Sequence, residues 1–175
     1  ISISGGTEPY TTEDNLSGLP AGSYTTLVTD ANGCTTSANF TITEPDPLIA
    51  NVASINDVSC NGGNDGSATL SISGGTGSYS YESLEDLTSG TYNITVSDSY
   101  NCTTSVEFTI DEPDVLSASV SIFTVSCNGE SDGSGWISIS GGTEPYTTED
   151  NLSGLPAGSY TTLVTDANGC TTSAN

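Results

Sequence analysis

"LTSGTYNITVSDSYNCTTSVEFTIDEP", residues 87–113, decides the fold of this chain. Apolar side chains alternate with polar ones over residues 92–97 and again over residues 105–110, with the loop "DSYNC" between them. Successive side chains of a β-strand point to opposite faces, so this alternation is typical of half-buried strands. Asp and Asn accept the backbone geometry of a tight turn. The stretch therefore predicts two antiparallel strands joined by a short loop.

The same alternation recurs along the chain, and no segment shows a helical period. Ala68, Leu70 and Ile72, for example, alternate with Thr and Ser. Turn residues interrupt these segments at the spacing expected for short strands. We therefore predict an all-β fold of tandem immunoglobulin-like β-sandwich repeats in an extended array.

The chain repeats itself with a period of 68 residues. Residues 1–39 recur unchanged as residues 137–175, and Cys34, Cys102 and Cys170 stand 68 positions apart. Self-similarity at a fixed period is typical of arrays in which each copy is one module. We interpret the chain as a segment of a longer array. The predicted modules are a partial repeat 1 without its N-terminal strands (1–46), a complete repeat 2 (47–114) and a repeat 3 truncated in its last strand (115–175).

The charge of the chain is entirely negative, because 22 Asp and Glu residues stand against no Lys, Arg or His, for a formal net charge of −22. Such a surface repels phosphate backbones and anionic membranes, which excludes nucleic-acid binding. No apolar run is long enough to cross a bilayer, so membrane insertion is not expected. Without His, Lys or Arg, proton transfer would fall to carboxylates or Tyr, and no cation would stabilise an oxyanion. We therefore expect no catalytic site and no enzyme.

Two similar segments predict the corner of a sandwich. "LSGLPAGSY" (16–24) and "LTSGTY" (87–92) each place a Leu before a Gly turn and a Tyr after it. In immunoglobulin-like domains such a Tyr donates its hydroxyl hydrogen back to the backbone. The predicted corner tyrosines are Tyr24, Tyr92 and Tyr160.

The cysteines are predicted to be structural. The five residues are Cys34, Cys60, Cys102, Cys127 and Cys170. The odd number follows if an array with an even number per module is cut within a module. Disulfides persist in oxidising compartments, so we expect an extracellular location at the cell surface.

Two disulfide pairings are open. Within a module, Cys60 would join Cys102 and Cys127 would join Cys170. If the first strand of a module runs from its entry to its exit, however, Cys60 and Cys102 lie at opposite ends, roughly 25 Å apart for strands of eight residues. That distance is far beyond disulfide reach. In that geometry Cys60 approaches Cys170 of the neighbouring module instead. We keep both pairings and lean to the in-module one, because the strand count before Leu87 is unsettled.

Calcium is the one cofactor that the residues suggest. Acidic and amide side chains crowd the Gly-rich turns "NGGNDGS" and "NGESDGS" and the Pro-containing linkers between modules. Hard oxygen donors beside a flexible turn suit Ca²⁺, although Asp and Asn are also simply good turn formers. The candidate ligands are Asn61, Asn64, Asp65, Glu130, Asp132, Glu44, Asp46, Glu112 and Asp114.

Two stretches carry a family resemblance. "VSCNGGNDGSATLSISGGTGSYSY" (58–81) and the stretch 87–113 resemble the repeats of the SprB family of gliding adhesins, which are immunoglobulin-like surface repeats. The resemblance implies export by type IX secretion, display on the cell surface as long filaments, and adhesion during gliding motility. One departure recurs in all three copies: the regions between Tyr10 and Leu16, Tyr81 and Leu87, and Tyr146 and Leu152 are each some ten residues shorter than such repeats usually have. Either these regions are trimmed or residues of the natural chain are absent there, and we favour the second explanation.

These observations predict a structural and adhesive segment of a giant surface adhesin or filament. The expected partners are neighbouring repeats of the same chain, and a surface polysaccharide or substratum on which exposed aromatics such as Tyr81 and Tyr100 would stack. The alternative is a non-catalytic repeat spacer of a secreted polysaccharide-degrading enzyme.

Overall fold

The computed structural model describes residues 2–149 and 151–175. This part of the chain contains β-strands and no helix, which confirms the predicted all-β class. The strands are β1 (Thr11–Thr12), β2 (Gly22–Thr29), β3 (Thr35–Ile42), β4 (Ile49–Asn56), β5 (Ser67–Ser73), β6 (Gly90–Ser97), β7 (Thr103–Ile110), β8 (Ser117–Phe123), β9 (Gly133–Ser140), β10 (Thr147–Thr148), β11 (Ser153–Leu155), β12 (Thr162–Thr165) and β13 (Thr171–Ala174).

The chain forms two compact units, Ile1–Pro47 and Leu48–Asn175. The first unit contains one antiparallel sheet in the order β1-β2-β3. Strands β2 and β3 pair along their whole length, from Gly22 opposite Ile42 to Thr29 opposite Thr35. This is the hairpin that the alternating pattern predicts.

Repeat 2, in the second unit, has two layers. One layer is the antiparallel pair β4-β5 and the other is β6-β7. Their alternating apolar side chains meet in one core, in which Val96 is fully buried and Ile110 is 1% exposed. The buried core residues are Ala50, Val58, Ala68, Leu84, Leu87, Ile94, Val96, Phe108 and Ile110. Small antiparallel sheets around a shared core are consistent with an immunoglobulin-like sandwich.

The short segment after Tyr79 crosses from one layer to the other. Ser80 pairs with Ser97 at the end of β6, and Leu87 pairs with Gly66 immediately before β5. Between these two bridges the chain buries Leu84, which is 6% exposed, beneath the sheets. The short connection therefore closes the sandwich and contributes to its core.

Repeat 3 contains two three-stranded sheets, β11-β9-β8 and β10-β12-β13. Strand β13 comprises four residues and ends at Ala174, whereas β7 of repeat 2 comprises eight residues and continues to Ile110. An apolar cleft of about 330 Å³ lies beside β13, lined in part by Val120, Leu152, Leu155 and Tyr160.

Candidate functional site at the junction of repeats 2 and 3

A disulfide joins two neighbouring repeats. Cys60 follows β4 in repeat 2, and Cys170 lies in the loop between β12 and β13 in repeat 3. Their Cα atoms are 5.7 Å apart, although they are separated by 110 positions in the sequence. The in-module pairings of Cys60 with Cys102 and of Cys127 with Cys170 are therefore not formed, and the preference for them in the sequence analysis is corrected.

The direction of the strands explains this pairing. The Cys60 turn lies at the exit end of repeat 2, where the Val58 amide donates to the carbonyl oxygen of Asp111 at 3.0 Å. Cys102 lies at the entry end, where the loop after β6 contacts Thr76 through a 2.9 Å hydrogen bond to Asp98. Strands of eight residues separate the two ends by roughly 25 Å. The exit end of repeat 2 instead meets the entry end of repeat 3, where Cys170 lies.

The Cys60 turn is a compact structure, which we call the socket and define as residues 58–66. The Ser59 amide donates to the carboxylate of Asp65 at 3.0 Å, and the Gly63 amide donates to the carbonyl oxygen of Cys60 at 2.9 Å. Gly62 adopts a φ of 74°, a conformation that glycine accepts without steric cost. The hydrogen bonds from Ser59 lower the pKa of Asp65.

The loop that carries Cys170 is equally well defined, and we call residues 166–170 the plug. One carboxylate oxygen of Asp166 accepts the amides of Asn168 and Cys170, each at 2.9 Å. The other accepts the amide of Thr143 at 2.9 Å, which ties the plug to the Gly-Gly turn before it. A Cβ on Gly142 would lie 2.8 Å from this carboxylate, so glycine is needed there.

Polar contacts surround the bridge. The Asn168 side-chain amide donates to the carbonyl oxygen of Ser59 at 2.9 Å. On the other side of the socket, the Asn61 side-chain amide donates to the carbonyl oxygen of Pro113 at 3.0 Å, and the Gly62 amide donates to the Glu112 carboxylate at 2.6 Å. The linker between the repeats is therefore hydrogen-bonded to the socket.

Some of the candidate calcium ligands are already hydrogen-bonded to other groups of the protein. Asp65 and Asp132 each accept a backbone amide within their own turn, at 3.0 Å in both cases. Glu112 and Asn61 are engaged at the junction as described above. Within residues 2–149 and 151–175, no group of three or more His, Cys, Asp or Glu side chains converges in a way that could hold a metal. Calcium binding at Asn64, Glu130, Glu44, Asp46 and Asp114 and their neighbours stays a prediction.

Each copy contains an aspartate, Asp30, Asp98 or Asp166, whose carboxylate anchors the hairpin loop to a distant backbone amide. This role was not predicted, because the sequence indicated only turn geometry for these residues. Burial raises the pKa of Asp98, but the amides of Thr76 and Cys102 outweigh it, so the pKa lies below its ordinary value. The pKa of Asp166 also lies below its ordinary value, because the amides of Thr143 and Cys170 outweigh the effect of burial. The pKa of Asp30 is lowered by the amides of Cys34 and Thr7. The recurring Asp four positions before each hairpin Cys is the signal that could have revealed them.

Two tyrosines per copy fasten loops to the backbone. The corner residues Tyr24, Tyr92 and Tyr160 donate to the carbonyl oxygens of Pro20, Thr88 and Pro156, at 2.8, 2.9 and 2.9 Å. A second set was not predicted from the sequence: Tyr10, Tyr79 and Tyr146 donate to the carbonyl oxygens of Gly5, Gly74 and Gly141, at 2.7, 2.7 and 2.8 Å. Each residue of the second set closes the Gly-Gly turn five positions before it.

The remaining cysteines, all within the described part of the chain, are Cys34, Cys102 and Cys127. They are exposed free thiols. The same described part contains no helix that is long and apolar enough to span a bilayer.

Comparison with known proteins identifies one family. The family model of the SprB repeat matches residues 52–82, which run from β4 through the socket and β5 to the crossing segment. No curated protein and no solved structure matches the chain. SprB repeats are structural repeats of surface-exposed, adhesin-like proteins. Residues 52–82, within repeat 2, therefore match a repeat of the SprB family.

Proposed function

We propose that this chain is a segment of a secreted cell-surface adhesin that carries mechanical tension during surface attachment and gliding motility. Its family supports an adhesive surface protein. The single observation that supports a role in carrying tension is the disulfide between Cys60 of repeat 2 and Cys170 of repeat 3. The family assignment also supports a non-catalytic region.

The disulfide changes the path that a pulling force takes through the second unit. Tension applied between Leu48 and Asn175 runs along the backbone to Cys60, crosses the disulfide to Cys170 and continues to the end. The residues between the two cysteines, including the linker around Pro113, lie in a closed loop and carry no tension. Unfolding under force therefore cannot extend that loop while the bridge is intact.

Single-molecule force spectroscopy tests this role on the full chain held by its two ends. A background with Cys34, Cys102 and Cys127 replaced by Ser retains the one bridge. Each residue of released chain adds about 3.4 Å, so unfolding of the second unit should lengthen the oxidised molecule by on the order of 60 Å and the reduced one by on the order of 400 Å. Unfolding of residues 1–47 adds the same length in both states.

The matched control also carries Cys60→Ser and Cys170→Ser and should show the long extension without reductant. A long extension of the oxidised, bridged molecule would contradict the proposal.

A contact with surface polysaccharide is supported by one residue. Trp136 on β9 is 71% exposed and lies opposite Ser121 on β8. Its neighbours along the exposed face of the strand are serines, so a flat aromatic surface stands among hydroxyl groups. Such a surface suits the apolar face of a sugar ring, with hydroxyls available for hydrogen bonds. Tyr100, which is 75% exposed, and Tyr81, which is 46% exposed, are further candidates.

Binding to an insoluble polysaccharide, measured by depletion from solution, tests this contact. Trp136→Ala should reduce the bound fraction several-fold. Ile122→Ala removes a similarly exposed side chain, 72%, from the opposite face of β8, so it serves as the control and should leave binding unchanged. Equal binding by wild type and Trp136→Ala would contradict a role of Trp136 in polysaccharide binding.

A further inference from the structure

We propose that Trp136 and Phe123 of repeat 3 form one binding site for an uncharged polysaccharide, whose sugar rings pack on both aromatic side chains. This site rests on the proposed adhesive function and deepens it, because it names the class of polysaccharide and adds a second contact residue. The observation that carries it is that two exposed aromatic side chains share one uncharged face of a sheet.

The two aromatic residues lie on the outer face of the β8-β9 pair. Trp136 on β9 pairs with Ser121 on β8. Phe123, two positions after Ser121, points to the same face and pairs with Ser134. Trp136 and Phe123 are therefore diagonal neighbours, which in an antiparallel pair lie about 7 to 8 Å apart, within reach of aromatic side chains. One ligand can contact both rings.

Both rings are open to solvent. Trp136 is 71% exposed and Phe123 is 67% exposed. The aromatic pairs that stack within the described part of the chain lie elsewhere, at Tyr24–Phe40 and Tyr92–Phe108. The apolar surface of Trp136 and Phe123 therefore faces water, and a ligand that covers it gains the free energy of removing that surface from water.

This exposure does not depend on whether a further repeat follows. The segment "SISGG" occurs at 71–75 and again at 138–142, which aligns repeats 2 and 3. Thr69 and Asn56 of repeat 2 then stand at the positions of the two aromatic residues. Both are exposed, although repeat 3 is joined to the exit end of repeat 2. A repeat docked at that end leaves this face open, and the aromatic pair is a feature of repeat 3 alone among these two.

The surroundings of the two rings are uncharged and rich in hydroxyl groups. β8 reads "SASVSIF" and β9 reads "GSGWISIS", so neither strand contains Asp or Glu, although the chain has 22 of them. An aromatic ring offers a flat apolar surface to the C–H face of a sugar ring, and serine hydroxyls can bond to sugar hydroxyls. A purely apolar partner would instead leave the serine hydroxyls without hydrogen bonds. The face therefore suits a sugar chain.

The charge of the protein determines which sugar chains can bind. Acidic polysaccharides, whose sugars carry carboxylate or sulfate groups, are bound through Arg and Lys, and the chain contains neither. Its net charge of −22 also repels them before contact. The expected ligand is therefore a neutral polysaccharide.

Tryptophan fluorescence of the full chain tests this site directly, because Trp136 is its single tryptophan. The chain is titrated with neutral oligosaccharides from cellulose, xylan and starch, and separately with acidic oligosaccharides from alginate. At least one neutral series should shift the emission to shorter wavelength and reduce quenching by acrylamide several-fold. The alginate series should change neither at near-physiological salt.

Replacing Phe123 by the residue of repeat 2 tests the second ring. Phe123→Asn should weaken binding of the neutral oligosaccharide several-fold, because one of the two packing surfaces is lost. Ile122→Ala, on the opposite face of β8, is the matched control and should keep the wild-type titration. An unchanged affinity of Phe123→Asn would overturn the two-ring site.

Transfer of the two rings to repeat 2 tests whether they are sufficient. Trp136→Thr together with Phe123→Asn should abolish retardation in gels that contain the neutral polysaccharide. Adding Thr69→Trp and Asn56→Phe to that variant should restore the retardation and the fluorescence shift, because repeat 2 presents the same face. Restored rings without restored binding would contradict the proposal.

Three further outcomes would overturn it: no binding to any neutral series, binding of alginate as tight as that of the neutral sugars, or a fluorescence shift that grows with protein concentration in the absence of sugar. The last outcome would assign the face to a second copy of this chain. Cys60→Ser together with Cys170→Ser should leave sugar binding unchanged, because the two rings do not depend on the bridge. A failure of the proposed role in carrying tension is thereby distinguished from a failure of this site.

Discussion

The side-chain amide of Asn168 donates a 2.9 Å hydrogen bond to the carbonyl oxygen of Ser59, a residue 109 positions earlier in the chain. This bond spans the two repeats directly beside the disulfide. Asn168 itself is held by Asp166 of its own loop, since the Asn168 backbone amide donates to that carboxylate. The junction is therefore a preformed loop that docks on a preformed turn.

Asn168→Ala should destabilise the second unit by about 1 kcal/mol, the usual net contribution of one hydrogen bond. It should also accelerate reduction of the Cys60 bridge, which borders an open cleft of about 350 Å³. Denaturant unfolding and the rate of reduction by dithiothreitol measure the two effects. Asn32→Ala removes the same side chain from the identical loop of repeat 1 and should leave the reduction rate unchanged.

Cys60→Ser should lower the free energy of unfolding of the second unit by about 4 to 5 kcal/mol, because the bridge closes a loop of 110 residues. The linker should also become accessible to a protease that cleaves after Glu112. Denaturant unfolding and limited proteolysis check this, with Cys127→Ser as the control that leaves the bridge in place. Equal proteolysis of the Cys60→Ser and control proteins would contradict a role of the bridge in holding the linker.

Acid should destabilise repeat 2 through Asp98. The folded state lowers the pKa of Asp98, so its stabilising effect is present above the pKa of the unfolded chain, about 3.9, and is lost as pH falls through the lower folded value. Asp98→Asn should therefore reduce the slope of stability against pH below about pH 4. Urea unfolding at a series of pH values measures this slope. An unchanged slope for Asp98→Asn would contradict this role of Asp98.

Thr162→Val should stabilise repeat 3. The Thr162 side chain is 2% exposed, and its hydroxyl has no hydrogen-bond partner among the residues that the structure describes. Repeat 2 has Ile94 at the corresponding position. Removing an unsatisfied buried hydroxyl without changing the side-chain shape should gain about 1 to 2 kcal/mol. Thermal unfolding measures the gain. The reverse exchange, Ile94→Thr, should destabilise repeat 2, and stabilisation by it would contradict the argument.

The calcium prediction has its own test. If the acidic turns and linkers bind Ca²⁺, adding millimolar calcium should raise the unfolding temperature and excess EGTA should reverse the increase. Asp65→Asn together with Asp132→Asn should abolish the effect if the two Gly-rich turns bind the ion. An unfolding temperature that responds to neither calcium nor chelator would contradict the prediction that this protein binds calcium.

The local features of the fold follow from the sequence. The period-two alternation over residues 92–97 and 105–110 predicts β6 and β7, and both strands form with the full register from Gly90 to Ile110. Local patterns suffice here because strand faces and turn chemistry depend on residues that are neighbours in sequence. The anchoring role of Asp98 was not recognised, because its partner Thr76 lies 22 positions away.

Composition and period by themselves determined that the chain is all-β, repetitive and acidic, because these properties reside in residue types and spacings. The partner of Cys60 was decided only by the tertiary structure. A disulfide requires two sulfur atoms to meet in space, and the strand directions place Cys102 at the far end of its own repeat and Cys170 at the near end of the next. Spacing along the chain is nearly the same for every copy, so it carries no information about which end of a repeat meets which.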